Sequence, residues 1–319
     1  MRKYHDMITE LLTDSRTQVK PTRSGVYAIS RFGNYTEYDL SKGFPLVTTR
    51  KINFNNVVAE LLWFLKGETN LRYLHENNVH IWDAWADGDG NLGRVYGAQW
   101  CDWKTSKGKS INQIKNVIES IKKDPYSKRH VVNSWNPGEL NEMALPPCHV
   151  LFQFNVNGDG TLDCHLFQRA ADISVGLIYN IASYSLLTHL IARETGLKLG
   201  RFIHSIGDLH IYCGKGKRGQ FYENYLDELR EGLQEKNQDY VKMSSSIEQV
   251  APFEEFENNL SRKGQFDHVP GLLKLLSRKP FDMPKLKIAT DKSLFNFSPK
   301  DIQLVGYKHH SPIKFDVAI

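Results

Sequence analysis

The chain has 319 residues, of which 40% are hydrophobic and 24% charged, a composition that excludes a disordered tail and supplies a substantial core. Its formal net charge of +5 comes without a long block of like charges, so no arm for nucleic acid is indicated and anionic small molecules suit it at least as well. Four cysteines (Cys101, Cys148, Cys164, Cys213) form no CxxC pair, no secretory pattern or membrane-length apolar run is expected, and a soluble protein of the reducing cytoplasm is the expectation.

Along the chain, KYHDMITELL sets Met7, Ile8, Leu11 and Leu12 at helical spacing, and VYAISRFG follows in a strand-like register. NFNNVVAELLWFL is a second helix whose apolar stripe is Val57, Val58, Leu61, Leu62 and Leu65; Glu60 breaks into that neighbourhood and requires a reason. HVLFQFNV alternates, with Val150, Phe152, Phe154 and Val156 on one face, NGDG supplies a turn, and TLDCHLFQ is the paired strand. Cys148 therefore stands at the mouth of a hairpin, directly after Pro146 and Pro147. NIASYSLLTHLIARETG spaces Tyr184, Leu187, Leu190 and Ile191 as a core helix and ends on Gly196, a C-cap residue. Residues 214–264 are charged and polar and are expected to form a surface insertion in one domain spanning 1–319, because no Pro/Gly/Ser linker divides the chain.

A thiol attacks only as thiolate, which requires positive charge or a helix N-terminus nearby. A lone cysteine beside a histidine is more often an inert buried residue. The company of Cys148 changes that weighting: PPCH, QRxxD, NIASY and GDLHIY occur in that order, preceded by LLWFLKGETNLRYLHENNVHIWDAWAD. Together, from about Tyr4 to the C-terminal VAI, these motifs closely resemble the thymidylate synthase family.

The resemblance implies an α+β fold, a mixed β-sheet packed by helices, with one sheet face forming a homodimer interface. It implies that the Cys148 thiolate adds to C6 of a pyrimidine nucleoside monophosphate, so that C5 attacks the methylene of 5,10-methylenetetrahydrofolate; no metal is implied. Arg169 would bind phosphate and favour the thiolate, and Arg23 would bind phosphate from an N-terminal loop. Lys128 and Arg129 would reach the partner's phosphate site across the dimer. Asn180 would read the N3/O4 edge of the base beside Gln168, while His210 and Tyr212 hold the sugar. Glu60 would relay protons through water, with burial raising its pKa, and Tyr96 would stand by the C5 proton. The folate would meet Ile81, Trp82, Trp85, Leu145, Gly176 and Tyr179, with Asp172 on the pterin and Arg50 and Lys51 near the glutamyl tail. Val317, Ala318 and Ile319 would form a flap that excludes water. His149 is not assigned the role of a protease-type base.

Two positions depart from the family pattern in one shell: Ala170 stands where the family has serine, and Lys128 where it has arginine. Both remove donors near phosphate and sugar. A pocket remodelled for ribose points to C5-hydroxymethylation of a pyrimidine ribonucleotide, CMP, slightly ahead of reductive methylation of dUMP; a dUMP hydroxymethylase is a third reading. Asparagine at position 180 suits uracil at first sight, yet a rotated amide would suit cytosine. A catalytically dead RNA-binding module is disfavoured by the intact Cys148, Glu60, Tyr96 and Asn180.

Overall fold

The computed structural model describes residues 1–235, 238–252 and 266–317. In chain order, α1 (Arg2–Thr13), β1 (Gln18–Pro21) and β2 (Val26–Asp39) lead into α2 (Phe54–Leu65), α3 (Arg72–Glu76) and α4 (Tyr96–Cys101). A small β3 (Trp103–Lys104) and β4 (Ser110–Ile111) hairpin precedes α5 (Gln113–Lys123) and β5 (Val131–Asn133). Then come β6 (His149–Val156), β7 (Thr161–Asp172), α6 (Gly176–Thr195) and β8 (Lys198–Lys215). The chain continues through α7 (Gly216–Gln234), α8 (Tyr240–Val250), α9 (Val269–Leu276), β9 (Lys285–Ile288) and β10 (Ile302–Val305).

Six strands form one mixed sheet in the order β1-β2-β8-β7-β6-β5. Only β7 and β8 pair in parallel, and α6 is the crossover between them, as a parallel pair requires. Helix α6 buries Leu177, Ile178, Ile181, Leu186, Leu187, Leu190 and Ile191 on several sides, so it is a core element with little polar face. It stops where Gly196 adopts φ 72°, a left-handed conformation costly for any residue with a Cβ. The Tyr184 ring stacks on Phe202 of β8 at 6.0 Å and meets Phe152 of β6 edge-on at 5.2 Å, which joins the helix to both halves of the sheet.

The alternation of β6 holds for Phe152, Phe154 and Val156 but fails at Val150, which is only half-buried. A bulge between His149 and Leu151 inserts an extra residue and turns His149 inward instead. The opposite face of the sheet carries a register-matched row, Leu151–Phe167–Ser205–Tyr35, in which the three large side chains are exposed, and Phe32 beside it is 81% exposed.

The charged stretch after β8 is more than a solvated excursion. Tyr222, Leu226, Leu229 and Leu233 give α7 a buried stripe against α1, β1, β2 and β8. Periodicity hidden among its glutamates and lysines accounts for this docking. Among the described residues no helix is long and apolar enough to cross a membrane.

Candidate active site

Cys148 ends the loop that feeds β6, and its backbone is held from three sides. Its N–H donates to the Tyr96 hydroxyl at 2.8 Å, the His149 N–H donates to the same oxygen at 3.3 Å, and its carbonyl accepts the Arg169 N–H at 2.8 Å. With both lone pairs occupied, the Tyr96 hydroxyl has only its proton left to offer. Arg169 also donates Nε to the Pro147 carbonyl at 2.8 Å and Nη2 to the Pro146 carbonyl at 2.9 Å, so the guanidinium pins the Pro-Pro-Cys turn.

Gly207 makes that arrangement possible. A Cβ there would lie 2.7 Å from the Arg169 carbonyl oxygen, so only glycine lets β8 approach β7 at this point. Burial pushes the Cys148 thiol up, with the Arg169 charge opposing it. Desolvation thus opposes the thiolate that the Arg169 charge favours.

Glu60 lies on the buried side of α2, 9% exposed, and accepts the Trp82 indole N–H at 2.7 Å. Burial raises its pKa from 4.5 to about 7, with the indole bond pulling the other way. A carboxyl poised near neutrality can both take and return a proton. His149 packs its ring 4.8 Å from Tyr96 and 5.2 Å from Tyr184; burial lowers it to about 4, with a side-chain hydrogen bond to Asn180 pulling the other way.

The base-reading candidate is locked. Gln168 donates its amide to the Asn180 Oδ1 at 3.0 Å and to the Ala170 carbonyl at 2.9 Å, and its own oxygen faces His204 Nε2 at 2.9 Å. Burial lowers His204 to about 3, so the ring is neutral and donates through Nε2. Turning Gln168 over would set its oxygen against the Ala170 carbonyl, a backbone acceptor that cannot turn with it. Asn180 is therefore held with its oxygen toward Gln168.

At the end of the site nearer β1, Arg23 is exposed in the β1–β2 turn, which Thr22 closes by donating to the Val26 carbonyl at 2.7 Å. Lys20 pairs with Asp208 at 2.6 Å, and the other oxygen of Asp208 faces His210 Nδ1 at 3.0 Å. The His210 ring lies 5.0 Å from Tyr212, whose phenol burial pushes up to about 12. Ala170 is half-buried in β7 opposite Asp208. Lys128 and Arg129 are exposed just before β5, on the far edge of the sheet.

Trp82 and Trp85 meet edge to face at 5.8 Å, and Ile81, Trp85, Leu145, Gly176 and Tyr179 are all half-buried, as the lining of a cleft is. Asp172 accepts the Ser174 N–H at 2.8 Å and lies 3.8 Å from His268 Nδ1. Burial works to raise its carboxyl, but His268, His210 and the Ser174 N–H bring it below its ordinary value. Arg50 is buried, donates to the Ile313 carbonyl at 2.9 Å and to the Ser174 carbonyl, and lies 4.8 Å over Phe315, so it organises the C-terminal segment; Lys51 beside it is exposed. Ala318 and Ile319 lie outside the described residues, and Val317 is half-exposed.

Sequence reasoning missed His268 and His204. The His268 ring touches Tyr212 at 5.9 Å and Phe315 at 5.1 Å, and Nε2 donates to the Asp316 carbonyl at 3.0 Å, so it joins Asp172 to the C-terminal segment. Neither histidine belongs to a local pattern that would single it out. A family model described as Thymidylate synthase matches residues 2–319.

Proposed function

Since the chain belongs to the thymidylate synthase family, whose activity is folate-dependent one-carbon transfer to a pyrimidine nucleotide, we propose that it acts on dUMP, methylating C5 reductively to give dTMP and dihydrofolate. In this reading the Cys148 sulfur forms a bond to C6 and the electron pair moves to C5, which bonds the methylene carbon of methylenetetrahydrofolate. The C5 proton leaves toward the Tyr96 side of the site as the bond from the methylene carbon to the folate nitrogen breaks, with Glu60 returning a proton through water to the departing amine; hydride from the freed folate then converts the exocyclic methylene to a methyl group, leaving dihydrofolate, and the sulfur departs as the C5–C6 double bond reforms.

The lock on Asn180 carries the choice of base. Uracil needs an acceptor for N3–H and a donor for O4, which the held amide offers; cytosine needs the reverse. A rotated Asn180 would lose the 3.0 Å bond from Gln168 and face its N–H with another. This shifts the balance away from CMP, the nucleotide expected from Ala170 and Lys128.

CMP hydroxymethylation remains the second reading because Ala170 offers a methyl group where a hydroxyl donor would crowd an added 2′-hydroxyl. A homodimer belongs to the same proposal: the exposed row Tyr35, Phe167 and Leu151 is an apolar face suited to a second copy, and Lys128 and Arg129 stand free at its edge.

The test incubates the protein with methylenetetrahydrofolate and, separately, dUMP, UMP, dCMP and CMP, weighs the products and follows dihydrofolate absorbance. Methylated dUMP with matching dihydrofolate supports the proposal. Hydroxymethylated CMP without dihydrofolate replaces it with the second reading. Cys148→Ala is expected to abolish turnover with an unchanged circular dichroism spectrum; retained turnover removes the covalent step.

A further inference from the structure

We propose that His75, His80 and Asp83 form a surface site for a borderline divalent transition ion such as Zn2+ or Co2+. The three come from one short stretch. His75 is in the last turn of α3, and Asp83 opens the short turn Asp83–Trp85. Between them Asn78 takes φ 55°, a left-handed value that asparagine tolerates better than most residues, and the chain doubles back there. The His80 ring consequently lies 4.8 Å from that of His75, at 32° between planes.

Both rings aim one nitrogen at the same carboxylate. His75 Nε2 is 2.8 Å from Asp83 Oδ1 and His80 Nδ1 is 2.9 Å from Oδ2, and the donor atoms all lie within 4.8 Å of one another. Two imidazole nitrogens and a carboxylate oxygen are a ligand set of zinc sites that keep an open position, and imidazole favours the later first-row ions over Mg2+ or Ca2+. All three side chains are exposed, so as ion pairs alone they contribute little, and small side-chain rotations close the donors onto an ion. The ion takes the place of the bridging N–H protons, and solvent completes its coordination.

The surroundings favour a cation. An adjoining surface cavity of roughly 590 Å3 is lined by His75 and Asp83 together with Glu76, Asp87 and Asp89, whose carboxylates outnumber the guanidinium of Arg72 in the same lining. Asp83 directly follows Trp82, the indole that donates to Glu60, so an ion bridging α3 to this turn ties down the segment that carries that indole.

The test needs no turnover and is independent of the proposed function. Co2+ is titrated into the untagged full chain, with visible d–d absorption and calorimetry as readouts, and Zn2+ is added in competition. One Co2+ per chain, displaced by Zn2+, is expected. Affinity should fall by about 10-fold or more in both His80→Ala and Asp83→Asn, since even outer-shell losses cost that much. The double variant His309→Ala/His310→Ala, which removes another histidine pair, His309 exposed and His310 half-buried, should bind as the parent does. Zn2+ should also raise the Tm of the parent and not of His80→Ala. Unchanged affinity in His80→Ala, loss of binding in the 309/310 variant, or no absorption band at millimolar Co2+ would overturn the site.

Discussion

Replacing Glu60 by glutamine tests whether this carboxyl sits in the fold against its own preference. Its folded value, about 7, lies above its ordinary 4.5, and the group is 9% exposed. A carboxyl raised by folding leaves the protein fully stable only below the unfolded value; stability is lost as pH climbs through the interval from 4.5 to about 7. At about 1.4 kcal/mol per pH unit the loss amounts to about 3 kcal/mol at pH 8 and about 1 kcal/mol at pH 5. Glutamine keeps an oxygen for the Trp82 indole and carries no charge to desolvate. Urea denaturation of parent and Glu60→Gln at the two pH values should therefore show the variant gaining roughly 2 kcal/mol relative to the parent between pH 5 and pH 8. A stability difference independent of pH, or one that moves the other way, would refute the assignment of desolvation as the dominant influence on Glu60. Turnover by the variant should be lost at both pH values, because an amide cannot cycle a proton.

Gly207→Ala places a methyl group 2.7 Å from the Arg169 carbonyl oxygen, and overpacking of this kind costs about 1–3 kcal/mol; a Tm drop accompanied by weaker nucleotide binding is expected, and an unperturbed protein would show that the two strands can part freely. Gln168→Leu removes the lock on Asn180 and leaves the His204 donor buried without its acceptor, at about 1–3 kcal/mol. Its ratio of kcat/KM for dUMP over dCMP should fall relative to the parent. An unchanged ratio would show that Asn180 is oriented by something other than Gln168.

The elements built on repeating apolar spacing were legible from the sequence. The stripe of α2, the hairpin of β6 and β7, and the Gly196 stop of α6 each follow from neighbours within one or two turns of chain. The bulge at His149 was not legible, because an inserted residue leaves no mark in the alternation until pairing partners are known. Arg50 shows a second limit: its partners within the fold are carbonyls at positions 174 and 313, far along the chain, and no local pattern names them. Cys148, Glu60, Tyr96 and Asn180 were found through motifs, whereas the Gln168–His204 contact that constrains Asn180 spans 36 positions and follows from no local rule.

The stretch that begins after β8 closes on itself. Cys213 bridges to Asp267 and the His268 N–H donates to the Tyr212 carbonyl at 2.9 Å, so the chain departs and returns at adjacent backbone positions. Geometry alone would allow a shortcut from one to the other, and a shortened descendant of this protein is easy to draw. Electrostatics oppose it. Arg218, inside the removable part, pairs with Asp267 on the retained side at 2.8 Å, and both are almost wholly enclosed. Cutting the arginine away strands a carboxylate, at about 3–5 kcal/mol. Neutralising position 267 in the same step would remove that loss, but the apolar surface that α7 covers on α1, β2 and β8 would still be laid open.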